Sequence, residues 1–277
     1  MKTYVVAVSG GVDSIVLLDM LSRVPEYKIV VAHFDHGIRD DSSDDARFVE
    51  GVAAQYGFAF ELRREELGPK ASEDLARQRR YAFLRAVAKK HNGRIVTAHH
   101  ADDALESITI NIHRGTGWRG LAVLDSDISR PLLQSTKAEL LQYANARNLS
   151  WHQDSTNSSD AYLRNRLRGL VAGLDTDQKT QLLARRHKQI EHKRAIDREV
   201  SDLIGLGPNY SRYFFTHIPK SVAIECLRAV TKAQLTRPQL ERALLAIKTA
   251  SPKSVYHAGS GLSLDFTTRN FSLSLLK

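Results

Sequence analysis

The stretch SGGVDS at residues 9–14 constrains the fold of this chain more than any other part of the sequence. An apolar run at residues 4–8 precedes it and a second apolar run at residues 15–21 follows it, which is the pattern of a strand, a tight turn and a helix. Two adjacent glycines permit positive φ angles and a close approach of the backbone to a ligand, and a helix start presents unpaired N–H groups. The stretch therefore predicts an anion-binding turn.

The side chains of this turn favour a nucleotide polyphosphate as the ligand. Serine hydroxyls can donate to phosphate oxygens, and a carboxylate can hold a magnesium ion between phosphates. A Walker-type loop would need a Lys before its final Ser or Thr, and a dinucleotide fingerprint would need Gly-x-Gly-x-x-Gly; neither is present. A simple Gly-Gly connecting turn is the alternative. The residues predicted to bind the polyphosphate are Ser9, Gly10, Gly11, Val12, Asp13 and Ser14, with Asp13 also the predicted magnesium ligand.

Short β-branched runs alternate with helical stretches up to about residue 150, which predicts an α/β fold with a doubly wound, mostly parallel, five-stranded sheet. The predicted strands cover Tyr4–Val8, Lys28–Phe34, Phe58–Leu62, Arg94–Ala98 and Ile128–Leu132. The predicted helices cover Ser14–Leu21, Asp44–Tyr56, Ser72–His91, Ala101–His113 and Lys137–Ala146.

Strand 4 of such a sheet is expected beside strand 1, because the chain starts in the middle and winds to one edge before it returns. The loops after strands 1, 2 and 4 then meet at one crevice. The carboxylates expected there, as catalytic groups or as ligands for an ammonium or magnesium ion, are Asp35, Asp102, Asp103 and Glu106. Capping of the helix start is the alternative for one of the last three.

The same loops contain several histidines, and His with Asp is also a ligand set of metal hydrolases. A metal-dependent phosphoesterase is therefore an alternative. His33, however, lies inside an apolar strand, so it is expected to be a hydrogen-bonded residue of the core.

Composition and charge limit the partners, the cysteine chemistry and the location that remain possible. Forty Lys and Arg against 31 Asp and Glu give a net charge of +9, which favours a polyanionic partner such as nucleic acid. The single cysteine, Cys226, excludes an internal disulfide and a cysteine-rich cluster site and is expected in the core. No signal-peptide core and no long apolar run are present, so a cytoplasmic protein without a membrane partner is expected.

Three regions follow from these patterns: a catalytic domain over residues 1–172, a basic helical linker over 173–205, and a small domain over 206–277 with an expected binding role. The linker contains a charged helix predicted over Gln178–Leu203. Before it, a run of arginines is expected either on a solvated surface or against an RNA backbone, and it contains Arg164, Arg166 and Arg168.

The ordered set of motifs resembles the tRNA(Ile)-lysidine synthetases of the N-type ATP pyrophosphatase superfamily, over about three fifths of the chain. The motifs are SGGVDS at 9–14, HFDHGIR at 33–39, TAHHADD at 97–103 with Glu106, RGTG at 114–117, RPLL at 130–133, and Asp154 with Asn157, Tyr162, Arg164 and Asn165. The sequence departs from the family at Ala104, Ser107 and Gln153, where Gln, Thr and an acid are usual.

The resemblance implies ATP and Mg²⁺ as cofactors, and free L-lysine and the CAU-anticodon isoleucine tRNA as substrates. It implies adenylation of C2 of the wobble cytidine, release of pyrophosphate, and attack by the lysine ε-amine with release of AMP. Arg114 is the residue expected at the lysine carboxylate. The oligomeric state is open, with a homodimer among the alternatives.

Three other functions are compatible with parts of this pattern. A cytidine thiolase needs cysteines that the chain lacks. A small-molecule synthetase working through an adenylate would leave the basic appendage unexplained. A catalytically silent, nucleotide-gated RNA-binding protein would never turn over ATP.

Overall fold

The computed structural model describes residues 1–37, 42–68, 71–152, 167, 169–205 and 207–275. The chain divides into two compact units, Met1–Ile190 and Glu191–Lys277, and the boundary falls within one long helix. Each unit is described on its own below.

The first unit alternates strands and helices, as the sequence predicts. Its elements are β1 (Lys2–Ala7), α1 (Val12–Ser22), β2 (Tyr27–Asp35), α2 (Ser42–Gln55), β3 (Ala59–Arg64), α3 (Glu73–Lys90), β4 (Arg94–Val96), α4 (Ala101–His113), α5 (Lys137–Ala146) and α6 (Thr176–Ile204), which continues into the second unit. Two short 3₁₀ helices cover Trp118–Leu121 and Pro131–Gln134.

The sheet of this unit is parallel, in the strand order β3-β2-β1-β4. Val5 of β1 lies between Val30 of β2 and Ile95 of β4. The expected placement of the fourth strand beside the first is confirmed. The carboxyl ends of β1, β2 and β4 therefore meet at one edge of the sheet, where ligands bind in open α/β folds.

The expected fifth strand is reduced to a single bridge between Val96 and Ser129. Thr97 N–H donates to the Ser129 carbonyl at 3.0 Å, and Ser129 N–H donates to the Ile95 carbonyl at 2.9 Å. Pro131 follows closely, has no N–H for a ladder, and begins a 3₁₀ helix. Among the described residues the sheet thus has four strands instead of five.

Helix α1 is the centre of the hydrophobic core. Ile15, Val16, Leu17 and Leu18 are each at most 3% exposed, which explains why its sequence is a continuous apolar run rather than a stripe. Helix α3 lies against the strand residues Val5, Val30 and Ile95 and buries one face, as its pattern predicts. The buried residues of that face are Tyr81, Phe83, Leu84 and Val87.

A buried carboxylate links three helices of this unit. Asp19 of α1 is 2% exposed and accepts hydrogen bonds from Arg23 Nε at 3.1 Å, Tyr56 Oη at 2.8 Å and Tyr143 Oη at 2.7 Å. Burial raises the pKa of this carboxyl, but the hydrogen bonds from Arg23, Tyr143 and Tyr56 outweigh burial and lower the pKa below its usual value. The ionised form of Asp19 therefore stabilises the folded state.

Replacing Asp19 by Asn will lower the free energy of unfolding by about 3 kcal/mol at pH 7, because donors are left facing a neutral group inside the protein. A carboxyl with a lowered folded-state pKa stabilises fully above its unfolded pKa of about 3.9 and loses this contribution as the pH falls. Urea unfolding at pH 7 and at pH 3 will show a smaller difference between the two proteins at pH 3. Asp44→Asn, at an exposed ion pair with Arg47, is the control and should change stability by less than about 0.5 kcal/mol.

The second unit packs the carboxyl-terminal part of α6 and three shorter helices on an antiparallel sheet of order β5-β8-β7-β6. Its elements are β5 (Asn209–Ser211), α7 (Arg212–His217), α8 (Lys220–Val230), α9 (Arg237–Thr249), β6 (Val255–Gly259), β7 (Leu262–Phe266) and β8 (Asn270–Leu275). Phe215 and Phe271 lie in its core. Cys226 is fully buried there, which confirms the expected core role, and burial raises the pKa of its thiol.

Candidate active site

The loop at residues 9–14, called here the pyrophosphate loop, joins the carboxyl end of β1 to the start of α1. Gly10 has φ +96°, which L-residues rarely adopt, and Gly11 is the N-cap of α1. A Cβ at Gly10 would lie 3.6 Å from the side chains of Phe48 and Val49, an ordinary contact. Backbone conformation, rather than lack of space, therefore requires glycine at this position.

The two serines of the loop hold its shape. Ser14, 4% exposed, donates from Oγ to the Gly11 carbonyl at 2.8 Å and accepts from Ser9 N–H at 3.2 Å. Ser9 Oγ accepts from Gly11 N–H at 3.3 Å. The hydroxyl of Ser14 is thus engaged within the turn, and phosphate contact by the two serines stays a prediction.

Helix α4 begins beside this loop with two neighbouring carboxylates. His100 is the N-cap and is 7% exposed, and its backbone N–H donates to Asp103 Oδ2 at 2.9 Å. Asp102 Oδ2 accepts from the backbone N–H of Lys137, the first residue of α5, at 2.7 Å. Asp102 therefore connects two helix starts, and Asp103 has its second oxygen, Oδ1, in none of these contacts.

Three helix starts are joined by charged side chains at this point. Asp13 Oδ1 of α1 lies 2.7 Å from Lys137 Nζ of α5, and Asp13 Oδ2 lies 3.7 Å from His100 Nε2 at the start of α4. Each helix start presents backbone N–H groups and the positive end of its dipole. Helix starts and lysine side chains are both groups that bind phosphate.

Asp35 lies at the carboxyl end of β2, next to β1 in the sheet. It is 4% exposed; Oδ1 accepts from Gly37 N–H at 2.8 Å, and Oδ2 lies 3.5 Å from Arg64 Nη1. Gly37 has φ +60°, and a Cβ there would lie 2.8 Å from Glu66 Cγ and 3.0 Å from its Cα. The backbone at Gly37 is therefore held close to the Asp35 carboxylate and to Glu66.

The histidines of these loops have distinct environments. His33 Nδ1 donates to the Val8 carbonyl at 2.8 Å inside the core, so the expected core role is confirmed. Burial, followed by the nearby guanidiniums of Arg130 and Arg77, lowers the pKa of His99 to about 3. Burial, and then Arg80, also lowers the pKa of His36. His99 is thus uncharged at neutral pH and is not a cationic phosphate partner.

Glu106 lies near the other carboxylates of α4, whereas Arg114 lies further away and three arginines lie outside the described residues. Glu106 lies one turn after Asp103 on α4. Arg114 is the exposed C-cap of the same helix, about 18 Å along the helix axis from Asp102 at 1.5 Å per residue. The structure therefore does not bring Arg114 next to the two carboxylates. The residues that lie outside the described part of the chain are Arg164, Arg166 and Arg168.

Sequence reasoning missed two residues of this region. Lys137 was treated only as a helix position, although Thr136 and Glu139 mark a capping box around it and a lysine at a helix start opposes the dipole. His152 donates from its backbone N–H to the Gly10 carbonyl at 3.0 Å, and its ring stacks on Phe48 at 4.2 Å. No local sequence signal reveals the contact between His152 and Gly10, because 142 positions separate these two residues.

The residues at the three helix starts fit both ATP and a magnesium ion. Asp13 is 28% exposed and supplies one carboxylate, and Mg²⁺ in nucleotide sites is commonly held by one or two carboxylates together with phosphate oxygens and water. In the described ranges, no group of three or more His, Cys, Asp and Glu side chains is arranged to hold a metal ion.

Those same ranges contain no helix with the length and apolarity needed to cross a membrane.

Residues 1–173 match the PP-loop domain family ATP_bind_3. The tRNA(Ile)-lysidine synthase of Geobacter sulfurreducens is 41% identical over 179 residues, which are 59% of this chain and 38% of that protein. The Bacillus cereus protein of the same name is 39% identical over 189 residues, 61% of this chain and 40% of that protein. The chain thus spans about two fifths of the length of these relatives.

Among solved structures, the chain is similar to the U34-tRNA thiolase NcsA of Methanococcus maripaludis, described with its [4Fe-4S] cluster. The TM-score is 0.60 at 17% identity, with 69% of this chain and 72% of that chain covered. This likeness shows a shared fold.

Proposed function

The chain belongs to the PP-loop domain family, and from that membership we propose that it is a tRNA(Ile)-lysidine synthetase. The proposed reaction joins free L-lysine to C2 of the wobble cytidine of the CAU-anticodon isoleucine tRNA, with release of AMP and pyrophosphate. The observation that carries this proposal is the convergence of three helix starts, with Asp13, Asp102 and Asp103, beside the pyrophosphate loop.

The first proposed step adenylates the cytosine. The C2 oxygen attacks the α-phosphate of ATP, and the bond to pyrophosphate breaks. The start of α1 and Lys137 offer N–H donors and positive charge to the departing pyrophosphate. Asp13 would hold a magnesium ion at this point, and that ion would supply positive charge against the phosphates.

The second proposed step uses the site carboxylates. The ε-amine of lysine has an ordinary pKa of about 10.4 and must lose a proton before it attacks C2 and AMP leaves. Asp103 has an oxygen outside its capping contact, so it is the proposed acceptor of this proton. Asp35 and Glu106 are proposed to bind the ammonium group, whereas Asp102 positions Lys137.

The lysine carboxylate also needs a cation. Arg114 is the proposed partner from the family resemblance, but its distance along α4 is longer than a lysine molecule. Arg77 and Arg130 contribute positive charge around His99, in the loop that leads into α4. These two arginines are therefore the proposed alternative to Arg114.

The second unit is proposed to contact the tRNA, together with the arginines at positions 164, 166 and 168. It has an exposed aromatic surface: Tyr213 is 71% exposed, and its ring stacks on His217 with centroids 3.9 Å apart. A cavity of about 570 Å³ beside it is lined by Tyr213, Lys248 and Arg269. An exposed ring next to cations suits an RNA strand, because bases stack on aromatic rings and phosphates attract lysine and arginine.

Tyr213→Ala will weaken tRNA binding about tenfold, since loss of one base-stacking contact costs about 1–3 kcal/mol. Filter binding at fixed salt measures the dissociation constant. Tyr213→Phe should retain the wild-type affinity, and Leu245→Ala, at an exposed position of the same unit, is the control. Equal affinity of Tyr213→Ala and wild-type protein would remove this surface from the proposal.

The proposed function is tested by an omission experiment with ATP, L-lysine and unmodified isoleucine tRNA. Pyrophosphate release and the mass of the wobble nucleoside are measured, and a lysine adduct is expected only when all three are present. Pyrophosphate formed with a small molecule in place of tRNA would instead indicate a small-molecule synthetase. Hydrolysis without ATP would indicate a phosphoesterase, and RNA binding without ATP cleavage would indicate a silent binding protein.

A cytidine thiolase is the remaining alternative within this fold. The single cysteine of the chain, Cys226, is buried in the core of the second unit. One buried thiol supplies neither a cluster ligand set nor a sulfur carrier. The ligase is therefore the better supported function.

A further inference from the structure

Lys137 occupies a position that costs helix stability. It is the first residue of α5, where a positive charge opposes the helix dipole. Its Nζ lies 2.7 Å from Asp13 Oδ1, near the start of α1, another positive helix end. A residue whose charge is unfavourable for its own helix is characteristic of a functional site.

The backbone of Lys137 is fixed from both sides. Its N–H donates to Asp102 Oδ2 at 2.7 Å. The preceding residue, Thr136, forms a capping box with Glu139, and the Ser135 carbonyl accepts from Ala101 N–H at 2.8 Å. The base of the side chain is therefore held between the starts of α4 and α5, while the side chain is 42% exposed.

The Lys137 ammonium group can still donate hydrogen bonds to a ligand in this arrangement. An ammonium group has three N–H donors, and its contact with Asp13 uses one of them. The remaining donors lie beside the pyrophosphate loop, because Asp13 is itself a residue of that loop. Lysine binds phosphate oxygens as a compact point charge, as it does in other nucleotide loops.

We propose that Lys137 binds the β- and γ-phosphate oxygens of ATP, and that Asp13 holds its amine in place before the nucleotide arrives. The proposal rests on the ATP-binding part of the proposed function and names a residue of the same site. Pre-positioning by Asp13 reduces the side-chain entropy lost when ATP binds. It also places a positive charge where the departing pyrophosphate gains negative charge.

Isothermal titration calorimetry with ATP, inorganic pyrophosphate and AMP tests this role without tRNA or lysine. Lys137→Gln and Lys137→Met are expected to bind ATP and pyrophosphate about tenfold or more weakly, because a charge-assisted contact is lost. Their affinity for AMP, which lacks both phosphates, is expected to be unchanged. Lys137→Arg keeps the charge and should recover part of the loss.

Lys220→Gln is the matched control. Lys220 is also the first residue of a helix, α8, and its Nζ lies 3.7 Å from a carboxylate oxygen of Glu241 in the second unit. This variant should bind all three compounds with wild-type affinity.

The outcomes separate this proposal from the proposed ligase activity. Wild-type affinity of both neutral variants for pyrophosphate, or an equal loss for ATP and AMP, would overturn the role of Lys137. Failure of the wild-type chain to bind either ATP or pyrophosphate would overturn this role and the ligase together. Absence of a lysine adduct on tRNA, with the expected binding pattern intact, would overturn only the ligase.

Discussion

Replacing Asp103 by Asn will lower the rate of lysine transfer to tRNA by about a hundredfold or more, the usual cost of removing a general base. Asn keeps an oxygen that can accept from His100 N–H, so the start of α4 should persist. Adenylation of the cytidine does not require removal of the lysine proton. Pyrophosphate release in the first turnover should therefore stay near the wild-type rate.

Single-turnover experiments distinguish these two steps. The rate of pyrophosphate release reports the first step. The rate of lysine incorporation, followed by mass spectrometry of the wobble nucleoside, reports the second. Glu61→Gln is the control, because Glu61 is a carboxylate of the same unit that is bound by Lys90 and His91. An equal fall in both steps would show that Asp103 supports the whole site rather than the proton transfer, and an unchanged lysine step would exclude it as the base.

Gly10→Val is expected to weaken ATP binding by about a hundredfold. A β-branched residue at φ +96° is strained by about 1–3 kcal/mol. The turn relieves this strain by moving, which re-aims the N–H groups at the start of α1.

Calorimetric titration with ATP and pyrophosphate measures the loss, with thermal unfolding recorded in parallel. Gly57→Val is the control, since Gly57 also has positive φ, at +68°, and has nothing within 4 Å of its Cβ position. That variant should lose stability but bind ATP normally. If Gly10→Val binds ATP as tightly as wild-type protein, the conformation of Gly10 does not set the phosphate contacts.

Much of the fold could be predicted from local sequence patterns. The apolar runs on either side of residues 9–14 specify a strand, a turn and a helix, because glycine permits φ angles that other residues avoid. The alternation of β-branched and helical segments specifies parallel pairing, and the doubly wound arrangement, in which the chain starts in the middle of the sheet and returns, places β4 beside β1. The meeting of three loops at one sheet edge follows from these two facts alone.

The fifth strand shows where such patterns fail. The segment at residues 128–132 is apolar enough for a strand. Its pairing ends after Ser129, however, because Pro131 cannot donate to a ladder and turns the chain into a 3₁₀ helix.

The sequence by itself determined the pyrophosphate loop, the strand order of the sheet and the edge at which the acidic residues collect. Only the tertiary structure decided which side chains meet there. Lys137 and Asp13 are 124 positions apart, as are Tyr143 and Asp19. The periodicity of a helix or strand determines the face on which a side chain lies. Which side chain of another helix it contacts depends on how the helices pack against each other. That packing makes Asp102 a link between two helix starts and leaves one oxygen of Asp103 outside the capping contact.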